Sequence, residues 1–333
     1  MTGAAIDQRS GISVVVPAYR SPGTLEQLCD EVEAHVAPLV DTIEIIFVDD
    51  GSGDGTWPEI RRLASERPHV HGITLLRNYG QHNALLAGLR AAELPFILTI
   101  DDDLQNPPRV VGKLLDQLTD EIDLVYGRPE QEPQAALRNV SSRFTKRLMS
   151  SALGSDVYPR SSAFRLFRRE LVGAADSVHD PNISVDVLLS WATNRITDVT
   201  VEFDERSSGA SGYTFRRLVR HAVNMITGYS TRPLRWMSAF GLLCATLGFG
   251  MLVWVLARFL LGDVDVAGFT FLAAAITLFS GVQLLSLGVL GEYIGRMHFR
   301  SMGKPPYAIR AVTARPSGSV TNDADNDRYP SKP

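Results

Sequence analysis

Residues 96–105 read FILTIDDDLQ, a short apolar run that ends in three consecutive carboxylates. An apolar run of this length followed by a turn predicts a buried strand that delivers Asp101, Asp102 and Asp103 at its end. Neighbouring carboxylates repel one another and are costly to desolvate unless a cation or hydrogen-bond donors neutralise them. A hard cation such as Mg²⁺ or Mn²⁺ takes oxygen ligands and leaves room for phosphate. The stretch favours a site for a metal and a diphosphate, with a solvated acidic turn as the alternative.

The residues on either side extend this strand into an α/β pattern. Strands are predicted at 12–17, 43–48, 70–76 and 96–100, and helices at 25–36, 58–66, 81–92 and 110–118. Strands and helices that alternate at this pitch predict a parallel sheet covered on both faces. Ligands of such sheets bind at the carboxyl ends of the strands, which is where the acidic run lies.

A second acidic run, DDGSGDGT at residues 49–56, ends another predicted strand and therefore reaches the same edge. Its glycines lack the G-x-G-x-x-G spacing of dinucleotide-binding loops, and two carboxylates would fit badly against a pyrophosphate. Carboxylates suit the donor groups of a nucleobase or a ribose better. A calcium-binding EF-hand at residues 101–112 is excluded, because Asn106 and Gly112 stand where Gly and Glu are needed.

Two runs in the C-terminal half, 236–257 and 266–291, contain no charged residue. Each is long enough to cross a bilayer as a helix, which takes about 20 apolar residues. The loop between them is acidic, whereas the outer flanks carry the basic residues Arg232, Arg235, Arg296, Arg300 and Lys304. The positive-inside rule then predicts two transmembrane helices whose outer flanks are both cytoplasmic. Two buried core helices are the alternative.

The segment just before the first run, residues 213–229, has apolar residues at helical spacing and a basic flank that includes Arg216, Arg217 and Arg220. This pattern predicts an amphipathic helix in the membrane interface, with an ordinary surface helix as the alternative.

Composition narrows the function further. The 333 residues carry a net charge of −4, which gives no basic surface for nucleic acid. Cys29 and Cys244 have no partner at metal-ligand or redox spacing, so structural zinc and a disulfide framework are excluded. The first 11 residues are polar and contain no signal-peptide core, so the N-terminal domain is expected to stay in the compartment where it is made. The tail after residue 311 has the composition of a disordered segment.

Nine motifs occur in a family order along the chain. They are VVPAY, FVDDGSGDGT, LLRNYGQHNAL, TIDDDLQNPP, YGR, FRLFRRE, ERSSGASGY, STRPLR and GVLGEYIGR. With these motifs the chain resembles glycosyltransferase family 2, whose members have the GT-A fold. Within that family it is similar to the polyprenyl-phosphate glycosyltransferases, the group that includes dolichol-phosphate mannose synthase and bacterial undecaprenyl-phosphate glycosyltransferases.

The resemblance implies a role for each matching residue. Nucleotide-sugar binding is implied for Pro17, Tyr19, Asp49, Asp50, Asp54, Arg77, Asn78, Gly80, Asp101, Asp102 and Ser211. Mg²⁺ or Mn²⁺ would be held by Asp101, Asp103 and Gln105. Asp103 and Arg206 would be catalytic, with Arg206 gripping the leaving diphosphate through its permanently charged, bidentate side chain. Arg128, Arg138 and Ser142 would bind the acceptor phosphate.

The absence of a carboxylate at one position also indicates the kind of acceptor. Residues 160–163 read RSSA, where some relatives carry an Asp proposed as a general base. A phosphate monoester is already largely anionic near pH 7, because its second pKa is about 6, and it needs positioning more than deprotonation. We therefore expect a lipid phosphate to attack the anomeric carbon with inversion.

Taken together, the expected organisation is a cytoplasmic GT-A (Rossmann-like) catalytic domain at 1–212 and an amphipathic juxtamembrane region at 213–233. Two transmembrane helices follow within 234–295, at about 236–258 and 267–291, and then a cytoplasmic tail at 296–333. The protein is expected in the plasma or inner membrane with both termini cytoplasmic. Its expected partners are a UDP- or GDP-linked sugar and a polyprenyl phosphate, with a tetramer implied by resemblance.

Three alternative functions follow from the same residues. A transferase acting on another lipid or on a growing polysaccharide is expected to carry a Q-x-x-R-W motif, which is absent from the sequence. A non-catalytic nucleotide-binding membrane scaffold would not need Asp101, Asp103 and Arg206. An NAD oxidoreductase is disfavoured by the glycine spacing.

Overall fold

The structure is a computed structural model that describes residues 10–129, 162–173, 184–202, 232–260 and 268–314. These residues fall into two compact units. The sheet unit contains the described residues up to 202 together with 305–314, and the helical unit contains 232–260 and 268–304. The predicted amphipathic helix at 213–229 lies outside the described residues.

The first half of the sheet unit has the predicted alternation. Its strands are β1 (Ile12–Ala18), β2 (Ile43–Asp49), β3 (Val70–Leu75) and β4 (Phe96–Thr99). Its helices are α1 (Leu25–His35), α2 (Thr56–Glu66), α3 (Gln81–Ala91) and α4 (Val111–Leu115), with 3₁₀ turns at Ala37–Leu39 and Pro108–Val110. The structure therefore confirms all eight predicted elements. Helix α2 begins at Thr56, two residues before the predicted start at Pro58. Pro58 fits in the first turn because a helix tolerates proline there.

Later segments supply four more strands. These are β5 (Leu124–Pro129), β6 (Arg165–Arg168), β7 (Ile196–Val201) and β8 (Ile309–Val312). A 3₁₀ turn (Arg169–Val172) and helix α5 (Val185–Ala192) also belong to this unit. The sheet order is β7-β5-β6-β4-β1-β2-β3-β8.

The prediction of a parallel sheet is correct for β1 to β4 and wrong for the sheet as a whole. Strand β6 is antiparallel to β4 and β5, and β8 is antiparallel to β3. Both strands have four residues and include arginines, so they lack the apolar run that identified the others. Antiparallel pairing also needs no crossover helix, and the strand–helix alternation therefore gives no sign of it.

Helices pack on both faces of the sheet around β1. Val14 and Val16 of β1 are fully buried and belong to the same cluster as Leu28 of α1 and Ile60 of α2. Val15 points to the opposite face, where a Cβ at Gly88 of α3 would lie 2.4 Å from its Cγ1. Because Gly88 has no side chain, α3 packs directly on β1, and its N-terminus follows the loop after β3.

The helical unit consists of α6 (Arg232–Leu260) and α7 (Phe269–Ser301), which contain 29 and 33 residues. The two helices contain nearly all of the two charge-free runs. Judged on length and mean apolarity, no helix in the described part of the chain qualifies as a membrane span.

Candidate active site

The carboxyl ends of β1 and β4 are joined through Asp102. Its Oδ2 accepts a hydrogen bond from the backbone N–H of Tyr19 at 3.1 Å and another from the hydroxyl of Ser21. Burial raises the pKa of Asp102, and these two donors counteract the rise. The middle carboxylate of the acidic run therefore fixes the loop after β1.

The loop after β2 holds the same β1 turn from the other side. The N–H of Arg20 donates to Oγ of Ser52 at 3.0 Å, and the N–H of Ser21 donates to Oγ1 of Thr56 at 3.2 Å. Arg20 has a left-handed backbone, with φ of 57°, and its guanidinium lies 5.2 Å from the centre of the Tyr19 ring. A non-glycine residue keeps this conformation only where its surroundings enforce it, as these bonds to consecutive amides do.

Asp49 is buried and both its oxygens have protein partners. Oδ2 accepts from the hydroxyl of Thr74 at 2.7 Å, and Oδ1 accepts from the N–H of Ser52 at 3.0 Å. The carboxylate thereby joins the end of β2 to β3. Asp49 shapes the edge, and its direct contact with a nucleoside stays a prediction.

Asp50 holds the loop after β3. Its two oxygens accept from the N–H groups of Tyr79 at 2.7 Å and Gly80 at 2.8 Å. Burial raises the pKa of Asp50, against the effect of these two amides. Next to it, Gly51 has φ of +64°, and a Cβ there would lie 2.4 Å from the carbonyl carbon of Arg77. Only glycine fits at this close approach.

Four other predicted nucleotide ligands differ in exposure. Pro17 is buried at the end of β1, opposite Val48. Asp54 is exposed and accepts from the N–H of Thr56 at 2.9 Å at the start of α2, and hydrogen bonds from Thr56 lower its pKa. Arg77 and Asn78 are exposed, and the Arg77 guanidinium lies 4.5 Å from the centre of the Tyr79 ring. Exposed side chains at this edge are the ones available to a ligand.

Asp101 and Asp103 carry the charge that a metal ion would neutralise. Burial raises the pKa of Asp101 to about 6, and the charges of Asp103 and Asp102 add to the rise. Asp101 accepts from Nε2 of Gln81 at 2.6 Å, and Asp103 accepts from the N–H of Gln105 at 3.2 Å. Crowded carboxylates whose burial disfavours the charged form fit a hard divalent cation. The described residues contain no group of three or more His, Cys, Asp or Glu that could hold a metal.

A buried network that the sequence analysis did not identify lies behind Asp101. Arg165 is 1% exposed, donates from Nε to Oγ1 of Thr99 at 3.0 Å and forms an ion pair with Asp186. The hydroxyl of Tyr126 donates to the same Asp186 oxygen at 3.2 Å. The positive charge of Arg165 also opposes the rise in the pKa of Asp101. Arg165 and Tyr126 lie in two of the family motifs, whereas no motif includes Asp186.

The predicted acceptor-phosphate ligands are described only in part. Arg128 is the next-to-last residue of β5, and its Nε lies 2.9 Å from Oδ2 of Asp198 on β7. Its role toward a phosphate stays a prediction. The other predicted ligands of phosphate groups lie outside the described residues: Arg138, Ser142, Arg206 and Ser211.

Comparisons with known proteins agree on a family. The family model described as "Glycosyl transferase family 2" matches residues 13–174. Undecaprenyl-phosphate 4-deoxy-4-formamido-L-arabinose transferase from Enterobacter sp. (strain 638) is 33% identical over 320 residues, which is 95% of this chain and 97% of the relative. The enzyme of the same name from Klebsiella pneumoniae (strain 342) is 32% identical over the same shares.

Solved structures with a similar fold include glucosyl-3-phosphoglycerate synthase from Mycobacterium tuberculosis. One structure of that enzyme has a TM-score of 0.48 and 24% identity, covering 66% of this chain and 78% of the enzyme. Another, in complex with Mn²⁺ and UDP-glucose, has a TM-score of 0.46 and 22% identity, covering 66% of this chain and 77% of that one.

Proposed function

Because the chain belongs to glycosyltransferase family 2, and within it to the polyprenyl-phosphate glycosyltransferases, we propose that it moves a sugar from a nucleotide diphosphate sugar to an undecaprenyl-type phosphate. The observation that carries the proposal is the similarity to undecaprenyl-phosphate sugar transferases over 95% of the chain. The mixed α/β sheet of GT-A type and its carboxylate-rich edge support the same activity.

The donor lies at the edge formed by the loops after β1 to β4. The exposed residues Tyr19, Arg77 and Asn78 contact the nucleoside, while Asp49 and Asp50 hold the loops that present them. Hydrogen bonding supports this division, because each oxygen of the two buried carboxylates accepts a protein donor that ties one loop to another. The proposed nucleotide is UDP or GDP.

A divalent cation belongs at Asp101, Asp103 and Gln105, which offer the hard oxygen ligands that Mg²⁺ and Mn²⁺ prefer. When bound, it would neutralise negative charge on the donor diphosphate. Arg206 would donate hydrogen bonds to the same diphosphate as it departs. The mutual repulsion of the carboxylates around Asp101, which raises the pKa of that group, supports this assignment.

The reaction forms one bond and breaks one bond. An oxygen of the lipid phosphate bonds to the anomeric carbon, and the bond between that carbon and the nucleotide diphosphate breaks, with its electron pair leaving on the diphosphate oxygen. The attacking oxygen is already anionic near pH 7, so the residues that bind the acceptor have only to orient it. Arg128, Arg138 and Ser142 take that role in the proposal, and in-line attack inverts the anomeric centre.

The two long helices place the enzyme at its lipid substrate. We assign α6 and α7 to the membrane, with the sheet unit and both termini on the cytoplasmic side, as the basic flanks of the helices favour. Exposed apolar side chains along both helices support this assignment, because large exposed apolar surfaces mark sites of contact with lipid or protein. More than half exposed are Trp236, Leu242, Leu243, Leu247, Phe249, Trp254, Leu272, Ile276, Leu284, Leu285, Leu287, Ile294 and Met297.

A transfer assay tests the proposal. Purified full-length protein is incubated with undecaprenyl phosphate and a panel of radiolabelled UDP- and GDP-sugars that includes UDP-4-deoxy-4-formamido-L-arabinose, with Mg²⁺ or with EDTA. Label that becomes extractable into organic solvent only with the metal supports the activity and identifies the donor. If no donor transfers while UDP or GDP still binds, the proposal fails and a nucleotide-binding scaffold takes its place.

A further inference from the structure

The last strand of the sheet comes from the segment that follows helix α7 in the chain. Strand β8 (Ile309–Val312) pairs with β3, with Val312 opposite Ile73 and Ala311 opposite Thr74. Ile309 then lies opposite Leu75, so the register shifts by one and Arg310 is the extra residue of a β-bulge. Bulges redirect a side chain and often occur beside active sites.

The bulge lets the C-terminal segment hold both backbone groups of Leu76. Nη2 of Arg310 donates to the carbonyl oxygen of Leu76 at 3.1 Å, and the N–H of Leu76 donates to the carbonyl oxygen of Ala308 at 2.9 Å. Leu76 directly precedes Arg77 and Asn78, which are exposed at the binding edge. The start of this loop is thus fixed by residues more than two hundred positions later in the chain.

The far end of the same loop is fixed by Asp50. Its carboxylate accepts from the N–H groups of Tyr79 and Gly80, as described above. Between these two anchors lie only Arg77 and Asn78, and the backbone of Arg77 is in addition packed against Gly51. If the Arg310 contact is lost, Leu76 keeps its backbone bond to Ala308 but its carbonyl loses a donor, and the exposed side chains that follow it are held less firmly.

Tyr307 attaches the C-terminal segment to α3, the helix that begins where the loop ends. Tyr307 packs with Leu86 of α3 and Leu188 of α5. The Arg90 guanidinium lies 5.7 Å from the centre of the Tyr307 ring, and its Nη1 donates to the Tyr307 hydroxyl at 3.4 Å. The segment therefore contacts the elements on both sides of the loop.

We propose that Arg310 is a positioning residue for donor binding, which acts by holding the loop 77–78 through the carbonyl of Leu76. The proposal rests on the proposed function, since it takes this loop to bind the nucleotide. Arg310 itself does not contact the donor. It follows that the donor site is completed by residues beyond the second long helix, outside the segment 13–174 that carries the family match.

The test uses three variants of the full-length protein. Arg310→Ala removes the donor to Leu76, and Arg310→Lys keeps a cation that can still donate to a carbonyl. The matched control is Thr313→Val in the same segment, which removes the hydroxyl that accepts from the N–H of Gly72 at 2.8 Å, in the first half of β3 and away from the loop. Binding of UDP and of GDP in the presence of Mn²⁺ is measured by calorimetry, together with Tm and, where transfer is detected, kcat and KM for the donor.

Arg310→Ala is expected to weaken nucleotide binding by about tenfold, the effect of losing one charge-assisted hydrogen bond, and to raise the donor KM with kcat little changed. Arg310→Lys should recover part of the affinity, and Thr313→Val should lower Tm without weakening binding. Unchanged affinity in Arg310→Ala would overturn the inference, and so would an equal loss in Thr313→Val. If the wild-type protein binds neither nucleotide, the proposed function fails instead.

Discussion

Asp102 and Tyr19 lie 83 residues apart in the chain, yet the Asp102 carboxylate accepts the Tyr19 backbone N–H at 3.1 Å. This bond ties the acidic run after β4 to the turn after β1, and the hydroxyl of Ser21 reinforces it. Asp102 thus holds the loop after β1, while Asp101 and Asp103 are the two carboxylates of the run that we propose as metal ligands.

Replacing Asp102 with Ala should release the β1 turn. We expect the donor KM to rise about tenfold, because hydrogen bonds to a charged group contribute about 1.5–3 kcal/mol each. Asp102→Asn keeps an oxygen that accepts the Tyr19 N–H and should lose less. Steady-state kinetics of both variants test the role, and equal KM values in Asp102→Ala and wild type would rule it out.

Replacing Asp103 with Ala should abolish transfer while the protein stays folded. The loss removes a metal ligand and should lower kcat by at least about a hundredfold, as the loss of one group that stabilises the transition state does. Asp116→Ala, which removes an exposed carboxylate just after α4, is the control and should keep wild-type activity. Full activity in Asp103→Ala would show that the metal site is assigned wrongly.

Substitutions at two glycines of one loop distinguish the cost of backbone strain from the cost of a steric clash. Gly51 and Gly53 have φ of +64° and +68°, but only at Gly51 would a Cβ meet the backbone of Arg77. Gly51→Ala should destabilise the protein by about 3 kcal/mol and weaken nucleotide binding, whereas Gly53→Ala should cost about 1 kcal/mol. Thermal unfolding and UDP or GDP titration of both variants measure the difference. Equal effects of the two substitutions would contradict the close packing of Gly51 on Arg77.

Asp123 gives the sheet unit a pH-dependent stability. Burial acts to raise its pKa, but hydrogen bonds from Arg195 at 2.6 and 2.9 Å and from Thr193 at 2.6 Å hold it below its ordinary value. A carboxyl with a lowered pKa stabilises the fold above its unfolded pKa of about 3.9, and this contribution is lost as the pH falls through the folded pKa.

Asp123→Asn should therefore lower the stability by about 2 kcal/mol at pH 7, where the ionised carboxylate accepts these bonds. The gap in Tm between this variant and the wild-type protein should narrow as the pH falls below about 4. A gap that stays constant from pH 7 to pH 3 would show that the charge of Asp123 does not stabilise the fold.

The first half of the sheet unit could be predicted from the sequence, because each strand there is a short apolar run and is followed by a segment with the pattern of a helix. The carboxyl ends of these strands must then lie at one edge, and Asp49 and Asp101 were assigned to it correctly. The four later strands were not predicted, and β6 and β8 in particular carry no such signal, because each has only four residues that include arginine. Pairing partners far apart in the chain determine those strands, and a single sequence does not contain that information.

The network around Arg165 was missed for a related reason. Arg165 lies in the run FRLFRRE, and a run rich in arginine is typical of a protein surface. No residue near it in the sequence indicates that Thr99 and Asp186 are its partners. Likewise, the motif predicts that Asp50 binds the nucleotide, but only the structure shows that its oxygens accept the Tyr79 and Gly80 amides. Sequence patterns located the carboxylates at this edge, and the contacts show which of them tie the loops together.

The most direct test of the central claim is the mass of the lipid product. Undecaprenyl phosphate is incubated with the purified protein, Mg²⁺ and the donor panel, and the extracted lipid is analysed by mass spectrometry with Asp103→Ala in parallel. We predict a glycosyl undecaprenyl phosphate, heavier than the acceptor by one sugar residue, that forms with wild-type protein and not with the variant. Unmodified acceptor with every donor, or the same product from Asp103→Ala, would contradict the account.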